Sequence, residues 1–387
     1  MQQVLNKIKG DRIIWGVLIV LCLISLMAVY SSTGSLAYRM RKGHTEFYLM
    51  KQILTLGAGL LIVYVFHRIN YKVYANVAVF LFAISIPLLI YTLFFGTTLN
   101  EGSRWIRVPF VQITFQTSDL AKLALFMFLA RNLARIQNHL DDWKKVWLHI
   151  FLPVGIICGL IAMANLSTAL MIGVSCFVLF FIGRIKAKDL GLLFALGIVF
   201  IGAIYGLSKL TGFGRAETWE ARVVSYFSDD KKDQPDQVVQ AKIAIVKGGI
   251  AGKGPGNSSQ RNFLPHPYSD MIFPIIIEEY GILLGGLGLI FLYLLFLWRS
   301  IVIFRKCEFA FGAFLCVGLS FTLVFQAFLN MGVAVNLLPV TGLTLPLISM
   351  GGSSVWFTCM AIGMILSVSR YVENNQELDK QVEAINQ

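Results

Sequence analysis

The sequence predicts an all-α polytopic membrane protein: a bundle of about ten transmembrane helices with a large extracytoplasmic loop between the seventh and eighth. Three observations carry that prediction. Of the 387 residues, 57% are hydrophobic and only 14% charged, where a soluble domain carries about 25% charged residues. The apolar residues fall in runs, several of them close to the roughly 20 residues needed to cross a bilayer. Those runs are continuous and lack the period-two alternation of a membrane β-barrel, which leaves helices.

The spans are expected at 13–32, 52–67, 73–95, 117–135, 146–164, 166–183, 189–207, 271–298, 309–331 and 351–369. The first has no small-residue cleavage site followed by a soluble domain and reads as a retained span, not a signal peptide. Short connections at 136–145, 165 and 184–188 favour a compact bundle. Orientation follows from Lys and Arg in the short loops. Lys7, Lys9, Arg12, Arg68, Lys72, Arg131, Arg135, Lys144, Lys145, Arg184, Lys186, Lys188, Arg299, Arg305, Lys306 and Arg370 fall on one side, which places both termini in the cytoplasm. Arg39, Arg41, Lys42 and Lys51 in the first outer loop are the main dissent, with Arg104 and Arg107 in the second. The net charge of +12 is then a topology signal plus anchoring to anionic headgroups, and nothing in it points to nucleic acid. The six cysteines avoid the outer loops, so neither disulfides nor a metal cluster is expected.

Two segments break the pattern. Residues 208–270 form the large outer loop, and 371–387 a cytoplasmic tail. Within the loop, the hydrophilic run SDDKKDQPDQ precedes VVQAKIAIVKGG, where Val238, Val239, Ile243 and Val246 fit one face of a helix. That helix lies at the membrane surface or packs on the bundle. Next comes GGIAGKGPGNSS (248–259), whose glycines resemble a phosphate cradle only weakly, because the P-loop spacing is missing. A flexible loop is the preferred reading. The second segment, NLLPVTGLTLPLISMGGSSV (336–355), has two prolines, three glycines and no charge. It reads as a broken re-entrant stretch, and irregular backbone at membrane depth is tolerated where it lines a cavity or is buried in protein.

The chemistry-bearing residues cluster on the outer side. Asp270 opens the eighth span, where it is expected both to cap the helix N-terminus and to act as a general base. Partial burial can lift a carboxylate pKa toward neutrality, while a helix N-terminus works against the rise. The other two acids of that span, Glu278 and Glu279, lie deeper and are read as structural or lining residues with a buried partner. In the fourth span Asp119 and Lys122 are three apart and share one helix face. They form either a mutual ion pair or a site in which Lys122 meets an anionic group and Asp119 orients it. Arg104 would add charge from the loop.

Taken together, GSRWI (102–106), FQTSDLAKLAL (115–125), NLSTALM (165–171), AKIAIVKGGIAGKGPGNSSQRNFLPHPYSD (241–270), IIIEEYG (275–281) and LLPVTGLTLPLISMGGSS (337–354) resemble the SEDS family, the peptidoglycan polymerases of the FtsW and RodA type. The resemblance runs from about residue 13 to 370 and its last motif is the most specific. It implies a ten-span bundle that polymerises lipid II on the outer face of the bacterial cytoplasmic membrane, with Asp270 accepting the acceptor hydroxyl's proton. It also implies that Lys122, Asp119 and Arg104 line the lipid-substrate cavity. Lys253 and Ser258 of the glycine-rich stretch, Gln240 just ahead of it, and Ser353 of the last motif complete the candidate substrate-binding set. The sequence departs from the family pattern at His266 and Pro267 (Glu-Ala is usual), Thr117 (proline), Asn165 (aspartate) and Met350 (an aromatic).

The implied substrates are lipid II and a glycan on undecaprenyl pyrophosphate. The implied partners are a class B penicillin-binding protein (a transpeptidase) and other division proteins. The loop wording leans to the division branch, with the elongation branch and a lipid II flippase as alternatives. No cofactor is assigned, although a divalent cation (Mg or Mn) would neutralise the pyrophosphate leaving group.

Overall fold

A computed structural model describes residues 9–41, 44–99, 102–107, 114–211, 216–227 and 235–385. The chain folds as α1 (Arg12–Ser32), α2 (Gly34–Arg41), α3 (Glu46–Arg68), α4 (Tyr71–Phe95), three short strands, α5 (Thr117–Ile136), α6 (Trp143–Ala164) and α7 (Leu166–Ile182). There follow α8 (Ala187–Thr211), α9 (Ala216–Phe227), α10 (Asp236–Gly248), α11 (Ile272–Lys306), α12 (Ala310–Ala334) and α13 (Ser353–Ile385). Among the described residues eight helices are long and apolar enough to cross a membrane. The two other expected spans are also helical: α7 has 17 residues, and α5 carries Asp119, Lys122, Arg131 and Arg135 in its 20.

Burial grades across the bundle. Helices α12 and α13 are mostly buried and make its centre, whereas α8 is almost bare and offers apolar side chains such as Phe194 and Val199 outward. At the start of α1, Asp11 caps the helix by accepting from the Ile13 and Ile14 amides, and its other oxygen takes Arg299 at 2.5 and 2.8 Å. Charge burial there is therefore paired.

The sequence did not announce the small antiparallel sheet between α4 and α5, β1 (Thr97–Leu99), β2 (Gly102–Arg107) and β3 (Thr114–Gln116), in that order. Nor did it announce how helical the stretch 208–270 is: α8 runs on to Thr211, and α9 and α10 follow. Helix α10 packs on the first turns of α11, as one of the two expected readings had it, but through a different face. Val238, Ala241, Ala244 and Gly248 are buried, while Val246 is 79% exposed. A side chain at Gly248 would lie 2.2 Å from the Ile277 carbonyl, so close backbone approach selects the small residues for the inner face.

The glycine run is neither a free loop nor an open cradle. It docks on a break in α11 at Gly281 (φ +77°), followed by a π-helical stretch at Gly281–Leu287. Lys253 and Gly254 amides donate to the Glu278 and Glu279 carbonyls at 3.0 and 2.9 Å, and the Ile282 amide donates to Gly249 at 2.9 Å. The backbone groups that the break frees are thereby satisfied. A Cβ at Gly252 or Gly281 would fall 2.3 or 2.1 Å from a facing carbonyl oxygen, which is why glycine stands at both.

Residues 336–352 are irregular, as expected for the broken segment, and buried at Val340, Leu343 and 345–349. Side chains of the surrounding helices satisfy its carbonyls. Ser25 donates to Ile348 at 2.8 Å, Tyr293 to Pro346 at 2.6 Å, Gln326 to Thr344 at 2.9 Å and Arg222 to Val340 at 3.1 Å.

Candidate active site

The broken segment forms one wall of a cavity of about 770 Å³, a volume typical of ligand sites. Helix α3 contributes Tyr48, Lys51 and Gln52, α5 contributes Asp119 and Lys122, and α9 contributes Arg222. The turn before α11 adds His266, Tyr268, Ser269 and Asp270, and α12 adds Gln326. Asp270, Asp119 and Lys122, far apart in sequence, thus share one chamber.

Asp270 does not cap α11. Met271 occupies the N-cap position with no side-chain bond, and the chain through Asp270 is a turn. The physical reason is that the turn persists one residue longer than the apolar pattern implies, which leaves the carboxylate on the cavity wall. Burial there pushes its pKa above the ordinary carboxylate range, and the amides of Asp270 and Met271 with His266 and Arg222 oppose the rise without cancelling it. A carboxylate raised in this way is suited to accept a proton from a hydroxyl.

In the same cavity Lys122 Nζ donates to Gln326 Oε1 at 2.8 Å and lies 3.4 Å from Asp119 Oδ1. Asp119 is 5% exposed and its Oδ2 is buried without a partner. The pair is poised for a ligand that supplies a donor to Asp119 and an acceptor to Lys122. Lys51, one of the residues that ran against the charge asymmetry, lines the same chamber. Its position on the wall gives this lysine a reason that the charge asymmetry does not.

The remaining candidates fall elsewhere. Lys253 and Ser258 are engaged by Glu278: Lys253 Nζ at 2.7 Å from one oxygen, Ser258 Oγ at 2.5 Å from the other. Neither is among the residues lining the cavity. Gln240 lies half-buried on α10 outside the lining, whereas Gln237 on the same helix is part of it. Ser353 is buried at the start of α13, where its hydroxyl accepts from the Gln116 amide at 3.2 Å and its neighbour Ser354 reaches the cavity. Arg104 belongs to β2, and its side chain lies outside the described residues. Glu278 and Glu279, themselves buried, have the partners expected of them. Besides Lys253 and Ser258, the Ser259 and Gln260 amides bond Glu278 at 3.1 Å each, and Ser31 bonds Glu279.

Sequence reasoning missed Gln326, Arg222 and Gln52. Gln326 had a signal: with Asn330 it makes a polar pair at i, i+4 in an otherwise apolar span. Arg222 had none, because α9 sits in a stretch read as loop. Among the described residues no group of three or more His, Cys, Asp or Glu is arranged to hold a metal ion, so the residues present do not form a ready cation cage.

Compared with known proteins, the chain matches the FtsW/RodA/SpoVE family model, described as "Cell cycle protein", over residues 11–374. It is 32% identical over 372 residues to the "Probable peptidoglycan glycosyltransferase FtsW" of Coxiella burnetii, covering 92% of this chain and 96% of that one. It is 31% identical over 378 residues to the stage V sporulation protein E of Bacillus subtilis, covering 95% and 98%. Among solved structures it superposes on a chain of a peptidoglycan synthase complex, described for its coordination of polymerization and crosslinking, with TM-score 0.69 and 27% identity, covering 94% and 98%. The crystal structure of the Thermus thermophilus rod shape determining protein RodA matches with TM-score 0.66 and 25% identity, again covering 94% and 98%.

Proposed function

The chain belongs to the FtsW/RodA/SpoVE (SEDS) family, and from that premise we propose how its cavity works as the active site of a membrane-embedded peptidoglycan glycosyltransferase. The substrate is lipid II. The donor is a glycan on undecaprenyl pyrophosphate and the acceptor is the GlcNAc 4-hydroxyl of a new lipid II, entering from the outer side of the cytoplasmic membrane. Asp270 takes the proton of that hydroxyl as its oxygen attacks the donor's anomeric carbon. The bond from that carbon to the pyrophosphate oxygen breaks, the pyrophosphate leaves with the electron pair, and the α link becomes a β-1,4 bond in one inverting displacement. Lys122, oriented by Asp119 and Gln326, meets the pyrophosphate, with Lys51 and Arg222 adding positive charge to the chamber. No step is assigned to a divalent cation.

One observation carries this reading: the Asp270 carboxylate, pushed toward the protonated form by burial, and the Lys122–Asp119 pair line the same cavity although they stand far apart in the chain. On this reading the site opens to the outer side, which favours polymerisation over flipping, a process that calls for a site at the membrane midplane. Several FtsW-named relatives lean the biological role toward septal synthesis at the division site, with a class B penicillin-binding protein as the crosslinking partner. The RodA likeness keeps an elongation role as the second reading.

The test is polymerisation of purified lipid II by the full chain, alone and with a class B partner, comparing wild type with Asp270→Asn. Polymer from wild type and none from the variant is expected. Wild-type turnover by Asp270→Asn would remove the base assignment, and no polymer from either with the partner present would favour a flippase or a scaffold.

A further inference from the structure

Three consecutive carbonyls lead into α11, and each is held from outside its own helix. Tyr268 O accepts from the Met350 amide at 2.9 Å, Ser269 O from Ser349 Oγ at 2.6 Å, and Asp270 O from Asn330 Nδ2 at 2.7 Å.

Asn330 is the pivotal donor. It is 2% exposed on the apolar helix α12, and its amide nitrogen spends both hydrogens on carbonyls: Asp270 O, and Leu343 O in the broken segment, also at 2.7 Å. Only the NH2 end of the side chain can face two acceptors, so the amide orientation is dictated by its neighbours. Its Oδ1 is left buried without a partner. A buried amide with an unmet acceptor is a poor choice for stability alone. What it does accomplish is to tie the main chain at Asp270 to the cavity wall at Leu343.

We infer that Asn330 is a positioning residue, which fixes the main chain of Asp270 against the broken segment and so sets where the Asp270 carboxylate meets the acceptor hydroxyl. The inference rests on the reading of Asp270 as the base. Asn330 is not among the residues lining the cavity. Its effect on turnover passes through Asp270, because small displacements of a catalytic group cost rate steeply while leaving substrate capture alone.

The experiment uses the full chain in proteoliposomes with fluorescent lipid II, comparing wild type, Asn330→Ala, Asn330→Asp, Ser349→Ala and Asp270→Asn. In Asn330→Ala, kcat is expected to fall about 10- to 100-fold, with KM for lipid II close to wild type and a lowered unfolding midpoint from the two carbonyls left unpaired. Asn330→Asp, which turns oxygen toward two carbonyls, should lose at least as much. Ser349→Ala removes the neighbouring donor to Ser269 O, should lose kcat to a smaller degree, and serves if the Asn330 variants fail to insert. Amide hydrogen exchange over 266–271 should quicken in each while α12 exchanges as before. Wild-type kcat with unchanged exchange in Asn330→Ala and Ser349→Ala overturns the inference, and so does a loss shared equally by kcat, KM and thermal stability. If those two variants keep wild-type kcat while Asp270→Asn is inactive, positioning alone fails. If Asp270→Asn polymerises normally, the base reading fails first and this inference with it.

Discussion

Lys253 Nζ lies 2.7 Å from Oε1 of Glu278, a carboxylate with no exposed surface on α11. The docked glycine run thus closes around an anion that belongs to the protein itself. That arrangement gives Lys253 a structural task in place of the substrate contact expected of it. Lys253→Ala should leave the Glu278 carboxylate buried with hydroxyl and amide donors but without its cation, at a cost of about 1–3 kcal/mol. Thermal unfolding in detergent should show the lowered midpoint, and kcat per folded molecule should hold. A raised KM for lipid II with an unchanged midpoint would return Lys253 to the substrate-binding set.

Asp270 should show the opposite trade. Its folded pKa is raised, so its contribution to stability is fully present below the unfolded pKa and is lost as pH rises through the folded value. At neutral pH the ionised, buried carboxylate therefore burdens the fold. Asp270→Asn carries no such titration and should unfold at a higher temperature than wild type at neutral pH. The gap should shrink as pH drops toward the ordinary carboxylate range. Midpoints measured across that range decide the matter, and a gap independent of pH would mean that the carboxylate is not desolvated.

Turnover should follow the same titration from the other side. A general base works ionised, so the rate is present above the raised pKa and falls as pH drops through it. The acid limb of kcat/KM should accordingly lie above the ordinary carboxylate range. Opening the site to water by Tyr268→Ala, a neighbour on the cavity wall, should move that limb down. A limb at the ordinary carboxylate position in the wild type would separate the rate from Asp270's burial.

Most of the bundle was legible because span length and continuous hydropathy are first-order consequences of the bilayer, and the long helices occupy the expected stretches. The broken segment was legible for a related reason: prolines and glycines in an uncharged apolar run have few other places to go. Asp119 and Lys122 could be paired from their spacing alone. The inner face of α10 could not be read, because a size rule replaced the hydrophobic one. Gly248 meets the Ile277 carbonyl, so Ala241 and Ala244 turn inward and Val246 outward. The clamp on Asp270 was equally hidden, since its donors Asn330, Ser349 and Met350 act on main-chain carbonyls, which carry no residue signature.

The pair Asp119 and Lys122 admits a test that separates structure from function. With Lys122 3.4 Å from Oδ1 and Oδ2 unpartnered, removing the lysine alone leaves a buried carboxylate uncompensated. Lys122→Met should therefore lose both stability, by about 3–5 kcal/mol for a buried pair broken from one side, and turnover. Adding Asp119→Asn removes the stranded charge, so the double variant should regain most of the unfolding midpoint. Turnover decides the role. If Lys122 binds the pyrophosphate, the stable double variant still captures and polymerises lipid II poorly. If Lys122 only neutralises Asp119, turnover returns together with stability, and the coupling between the two sites accounts for the whole effect.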